Sequence, residues 1–153
     1  MRLFVVAVSN TLLHHKVAQQ RAAAHGGGVI QADAISGLQT VAQTLGQGAA
    51  TVIVMHSYLE HEVAPLTVLQ ISKRLLTPSG SVIIKVPNLD CWNRHLRGRE
   101  WPGFRFPDHV NYFTPATLSQ LVEKSGLTIA RFGWRDRSPT SDNMWLIARR
   151  SGK

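Results

Sequence analysis

One short stretch of this chain gathers side chains that could do chemistry: His56-Ser57-Tyr58-Leu59-Glu60-His61 follows directly on the apolar run Val52-Ile53-Val54-Met55. Histidine exchanges protons near neutral pH, so His56 is a candidate for acid–base work. Glu60 adds a carboxylate beside His61. A further histidine, His109, stands far along the chain among aromatic residues. The plainer reading, that each histidine merely caps or packs, competes at every one of these positions.

Such side chains act only when rigid elements present them. Val52-Ile53-Val54-Met55 and Val82-Ile83-Ile84 are apolar runs without alternation, the pattern of parallel strands covered on both faces. Between them, Ala64, Val68, Ile71 and Leu75 recur at helical spacing, giving a crossover helix with one apolar stripe. Thr77-Pro78-Ser79-Gly80 reads as the turn into the second strand, which ends at Val86-Pro87-Asn88. The unit is βαβ. In an open parallel sheet the ligand lies beyond the carboxyl ends of the strands, so residues 56–61 and 87–90 are expected to border one crevice.

The flanking chain continues the alternation. Residues 3–8 form a buried-strand run, and a helix over residues 12–25 closes on Gly26-Gly27-Gly28. That glycine run reads as a C-cap and turn, since a phosphate loop opens a helix rather than ending one. A short strand over residues 29–33 precedes a helix over residues 36–45 that carries Leu38, Val41, Ala42 and Leu45. Residues 89–113 lose the period and hold Trp92, Trp101, Phe104, Phe106, Tyr112 and Phe113. A long aromatic loop at this edge is expected to serve as a lid or substrate wall, or else to anchor itself by its own rings. Thr114-Pro115 starts another helix, with Leu118, Leu121 and Val122 facing inward and Gly126 beyond its end. Strands over residues 127–134 and 144–149 then form an antiparallel closing hairpin.

Size and composition narrow the class. A chain of 153 residues fits one domain. Its single cysteine, Cys91, excludes an internal disulfide and a multi-cysteine zinc site. No apolar run approaches the roughly 20 residues of a membrane span, and a soluble cytoplasmic protein is the expectation. The formal net charge is +8, with Arg94, Arg97, Arg99, Arg105, Arg131, Arg135, Arg137, Arg149 and Arg150 crowding the second half. Acidic partners match such a surface, whether nucleic acid, anionic lipid or an acidic metabolite, and so does a merely solvated face.

The runs VIVMHSYLEH, LLTPSGSVIIKVPN and DHVNYFTPATLSQLVEKSGL resemble the second half of a class I S-adenosylmethionine-dependent methyltransferase, of the small-molecule type related to the ubiquinone-biosynthesis O-methyltransferases. The resemblance extends over residues 3–149 and is strongest over residues 52–127. It implies an α/β fold, a Rossmann-like, mostly parallel sheet with helices on both faces and an antiparallel C-terminal hairpin. It further implies S-adenosylmethionine as donor and a small oxygen or nitrogen nucleophile as acceptor, for which the arginines would favour acidic character.

Residue by residue, the resemblance makes Asp33 the adenine-contacting aspartate, with a helix-capping role as the alternative. It puts Ser9 where the family has a ribose-binding acid, a weaker neutral contact. His56 and Ser57 fall where the family lines cofactor and acceptor. His109 falls where the lid presents a histidine, which makes it the first choice for a general base and His56 the second. Some relatives hold a divalent cation through Glu-x-x-Glu-His. Here Ser57 replaces the first carboxylate, leaving Glu60 and His61 as too few ligands unless His109 or water completes the set. No metal is expected on that count, and Glu60 and His61 are expected to begin the crossover helix.

The family's glycine-rich first strand has no match, so the chain reads as an N-terminally shortened single domain. The strand over residues 3–8 would then fill the gap or pair with a second copy or a partner chain. Two other readings stand beside the enzyme. One is a non-catalytic methyltransferase-like module that binds a partner; the other, ranked last because no nucleic-acid motif accompanies the charge, is a basic nucleic-acid-binding protein.

Overall fold

The computed structural model describes residues 32–150. The expected strand over residues 3–8, the helix over residues 12–25, the glycine run and Ser9 lie outside the described residues.

Asp33 opens the described fold by capping α1 (Ala34–Leu45), its carboxylate accepting from the Ser36 amide at 3.0 Å. β1 (Ala50–His56) follows, then a 3-10 turn at Leu59–His61, then α2 (Pro65–Leu75). Pro65 sits at the first turn of α2, where its missing N–H costs nothing. This corrects the expectation that Glu60 and His61 begin the crossover helix. They lie in their own turn, before a helix that starts where proline permits.

β2 (Leu76–Pro87) runs parallel to β1, with Val54 opposite Ile83 and His56 opposite Lys85. The expected turn at residues 77–80 is absorbed into β2 as an irregularity, for the register passes from Ala50 opposite Leu76 to Val52 opposite Ser81. Gly80 is required there, since a Cβ would stand 2.9 Å from the Ala50 carbonyl oxygen. Residues 89–113 contain the short helix α3 (Trp92–Arg97) and a 3-10 turn at Gly98–Glu100. α4 (Pro115–Lys124) begins with a reciprocal cap between Thr114 and Thr117, as the Thr-Pro signal predicts. β3 (Leu127–Arg131) and β4 (Asn143–Arg150) close the chain as an antiparallel pair, and β4 lies antiparallel beside β2.

Among the described residues the strand order β1-β2-β4-β3 makes a mixed four-stranded sheet. Its core face carries Met55, Val82, Ile84, Val86, Met144, Leu146 and Ala148, joined in one apolar cluster with Leu38 and Val41 of α1, Val68 and Ile71 of α2, and Leu118 and Val122 of α4. α1, α2 and α4 therefore cover the same face of the sheet. Val52, Val54 and Trp145 point to the other face and are exposed. Among the described residues no helix is long and apolar enough to cross a membrane.

Candidate functional site

The parallel pairing of β1 and β2 delivers His56 and Asn88 to the same end of the sheet, as the βαβ reading requires. At the tip of β1 the chain turns sharply. Ser57 has φ +51, a left-handed backbone uncommon for a side chain with a Cβ. The surrounding bonds hold it: its amide donates to the Lys85 carbonyl at 2.9 Å, and its hydroxyl accepts from Lys85 Nζ at 2.8 Å. His56 is exposed, its ring edge-on to Trp145 at 5.7 Å.

The turn at Leu59–His61 carries a different group. Glu60 is 1% exposed, and its Oε2 has no hydrogen-bond partner. Burial pushes its carboxyl above the ordinary glutamate range, against the opposing pull of its own backbone amide and of His61, His109 and Lys85. His109 crosses from residues 89–113 to stand against His61, rings edge to face at 4.6 Å. Ligand atoms of Glu60, His61 and His109 all lie within 4.8 Å of one another.

The two imidazoles are oriented alike. His61 Nδ1 stands 2.8 Å from the Asp108 carbonyl, and His109 Nδ1 stands 2.8 Å from the Gly103 carbonyl. A carbonyl oxygen can only accept, so both Nδ1 atoms carry the proton. In the neutral rings both Nε2 lone pairs are then free. Two imidazoles and a buried carboxylate thus meet at one place.

Residues 89–113 are built to hold this meeting. The Leu89 amide donates to the Phe113 carbonyl at 2.9 Å, closing the segment at its base. Val110 and Asn111 amides both donate to the Glu60 carbonyl, at 2.8 and 3.0 Å. Asn111 Nδ2 also donates to the carbonyls of Leu59 (3.2 Å) and Glu62 (2.5 Å). Elsewhere Asp142, half-buried, gathers three donors from the same segment: Trp101 Nε1 at 3.0 Å, Asn93 Nδ2 at 2.9 Å and Cys91 Sγ at 3.3 Å. Burial alone would push the Asp142 carboxyl up, but these hydrogen bonds outweigh it and hold it below the usual aspartate range.

The structure therefore brings His109 together with Glu60 and His61, and sets His56 and Ser57 with Lys85 and Trp145 at the tip of β1. Asp33 is exposed at the start of α1, both of its oxygens engaged by Ser36. Lys85, Asn111 and Asp142 were not singled out from sequence. Each acts across 28 to 52 residues of chain, and no local pattern marks a lone lysine, asparagine or aspartate for such a bond. Tyr58 donates to Glu62 Oε2 close by, and burial, then that carboxylate, holds its phenol strongly protonated.

Residues 6–131 match a family model described as a methyltransferase domain. Among solved structures, a Thermotoga maritima protein described as a SAM-dependent methyltransferase and possible histamine N-methyltransferase superposes with a TM-score of 0.67 at 12% identity, covering 95% of this chain and 72% of that one. The Burkholderia thailandensis 1,6-didemethyltoxoflavin-N1-methyltransferase, solved with 1,6-didemethyltoxoflavin and S-adenosylhomocysteine, gives 0.63 at 16% identity, covering 97% of this chain and 60% of that one. A Haloferax volcanii chain solved in complex with the Trm112 methyltransferase activator gives 0.71 at 11% identity, covering 98% and 72%. At these identities the likeness is one of fold. No curated protein matches the sequence.

Proposed function

The chain belongs to the methyltransferase-domain family, and from that premise we propose that it transfers a methyl group from S-adenosylmethionine to an oxygen or nitrogen of a small molecule, with His109 as general base. The observation that carries this reading is the presentation of His109. Its Nδ1–H is held by the Gly103 carbonyl, and its ring is buried against Glu60 and His61 with Nε2 free to accept a proton.

The cofactor supplies an activated methyl carbon on a sulfonium. The acceptor would take that methyl group and leave S-adenosylhomocysteine. The acceptor's proton passes to Nε2 of His109 as the new bond forms. His56 and Ser57 stand at the carboxyl end of β1, on the cofactor side in this reading, and Asp33 at the head of α1 is assigned to the adenine. The arginines of residues 89–113 draw an acidic acceptor toward the opening.

A specific ligand at a hundredfold its dissociation constant stabilises a fold by about 2.7 kcal/mol. S-adenosylhomocysteine should therefore raise the melting temperature of the purified chain. His109→Ala should keep that shift and lose methyl transfer to a panel of phenols, carboxylates and amines by about a hundredfold or more. No melting shift at millimolar ligand would refute the enzyme and favour the partner-binding module.

A second reading draws on the orphaned Oε2 of Glu60. One carboxylate and two oriented imidazoles suit a divalent transition-metal ion, so Glu60, His61 and His109 would hold it, with solvent or acceptor filling the remaining positions. The ion would polarise an acceptor hydroxyl and ease loss of its proton. The two readings compete for one lone pair, since Nε2 of His109 cannot both bind a cation and take a proton. Titration with manganese or zinc separates them: a melting shift that Glu60→Met abolishes favours the cation, and methyl transfer undiminished in a chelator favours the base.

A further inference from the structure

A contact chain runs from the start of β4 to His109. Asp142, immediately before β4, accepts the indole N–H of Trp101 at 3.0 Å. Trp101 is 1% exposed, and its ring lies flat under Gly103 so closely that a Cβ there would fall 2.1 to 2.5 Å from the ring carbons. Gly103 in turn offers its carbonyl to His109 Nδ1 at 2.8 Å. The carboxylate is itself fixed from two more sides by Asn93 and Cys91, while the Asp142 carbonyl accepts from the Asn88 amide at 2.9 Å at the tip of β2.

We propose that Asp142 is a positioning residue for His109, acting through the Trp101 indole and the Gly103 carbonyl. Its carboxylate fixes the plane of the indole, the indole fixes the height of the Gly103 peptide, and that peptide selects the Nδ1–H tautomer and fixes the direction of Nε2. The chain couples a sheet strand, which cannot easily move, to a histidine in an otherwise irregular segment. Every member earns its identity: the indole needs its N–H, residue 103 must lack a side chain, and residue 142 needs a carboxylate oxygen with room for three donors. Bonds of this kind, outside the reacting groups, set ring orientation and basicity in many histidine sites. A misplacement of about 1 Å in such a site can cost on the order of a hundredfold in rate.

The inference rests on the reading of His109 as the working group, and its test has a readout that does not depend on turnover. Trp101→Phe removes the N–H together with the outer ring edge that lies against Gly103; Asp142→Ala removes the carboxylate acceptor, and Asp142→Asn retains one acceptor oxygen. Nitrogen-15 spectra of the imidazoles should show His109 as a single Nδ1–H tautomer in the wild type. In Trp101→Phe and Asp142→Ala it should show mixed or reversed tautomers, with Asp142→Asn intermediate. In the same variants kcat should fall roughly 10- to 100-fold while the S-adenosylhomocysteine melting shift and KM stay unchanged, and Asp142→Asn should recover part of kcat.

An unchanged His109 tautomer in folded Trp101→Phe would overturn the proposal. So would loss of folding in both Trp101→Phe and Asp142→Asn, which would make the chain a matter of stability alone. A wild type without methyl transfer, or His109→Ala with full activity, would sink the general base yet leave the tautomer result to decide the positioning chain.

Discussion

Glu60→Met should make the protein more stable, although it removes a residue at the centre of the candidate site. Glu60 is 1% exposed with an unpartnered Oε2, and leaving a buried acceptor unsatisfied costs about 1–3 kcal/mol. Methionine has nearly the same length and no branch, so it can fill the space without that cost. A domain of about 150 residues shifts its melting temperature by about 2–4 °C for each kcal/mol, so the variant should melt about 2–12 °C above the wild type near neutral pH.

The pH dependence supplies the sharper check. Burial raises the Glu60 carboxyl above its ordinary value of 4.5, so between 4.5 and the raised value the folded chain binds more protons than the unfolded one. Wild-type stability must then fall as pH rises from about 4.5 and level off above the folded value. Methionine has no such loss, and the gap should be smallest at acid pH and widen upward. Calorimetric melts in a chelator from about pH 4 to about pH 8 measure it, and the chelator removes any bound cation that would stabilise the wild type. A variant that melts below the wild type near neutral pH, or a gap independent of pH, would refute the reasoning. The first result would mean that attraction to His61, His109 and Lys85 outweighs the burial of the charge.

Asn111→Ala removes donors from the Leu59 and Glu62 carbonyls and should cost about 1–3 kcal/mol in denaturant unfolding; a cost under about 0.5 kcal/mol would show that the segment is held elsewhere. Asp33 separates two roles by substitution: Asp33→Ala should lower the melting temperature through loss of the α1 cap, while Asp33→Asn keeps the cap and leaves it unchanged. If calorimetric titration finds the same S-adenosylhomocysteine affinity in Asp33→Asn as in the wild type, the aspartate serves the helix and not the adenine.

The local elements were legible because their causes are local. The apolar run at residues 52–55, the stripe Val68, Ile71 and Leu75, and the Thr114-Pro115 start each depend on side chains a few positions apart, and each appears where its pattern points. The αβ alternation likewise sufficed to bring the tips of β1 and β2 to one end, since a parallel pair joined by a crossover has no other arrangement. Glu60 and His61 were misjudged as the start of the crossover helix because a carboxylate favours a helix N-terminus. Nothing local shows that the Glu60 carbonyl is instead needed by the Val110 and Asn111 amides.

Residue types and spacing pointed to the strand–helix alternation, to the sheet edge where His56 and Asn88 meet, and to histidines worth testing. Only the tertiary structure decided that His109 completes the pair Glu60 and His61, and that Asp142 reaches Trp101 across 41 residues. The physical reason is the same in both cases. A hydrogen bond between distant segments depends on where packing sets two backbones to within a few tenths of an ångström, and no periodicity along the chain encodes that distance.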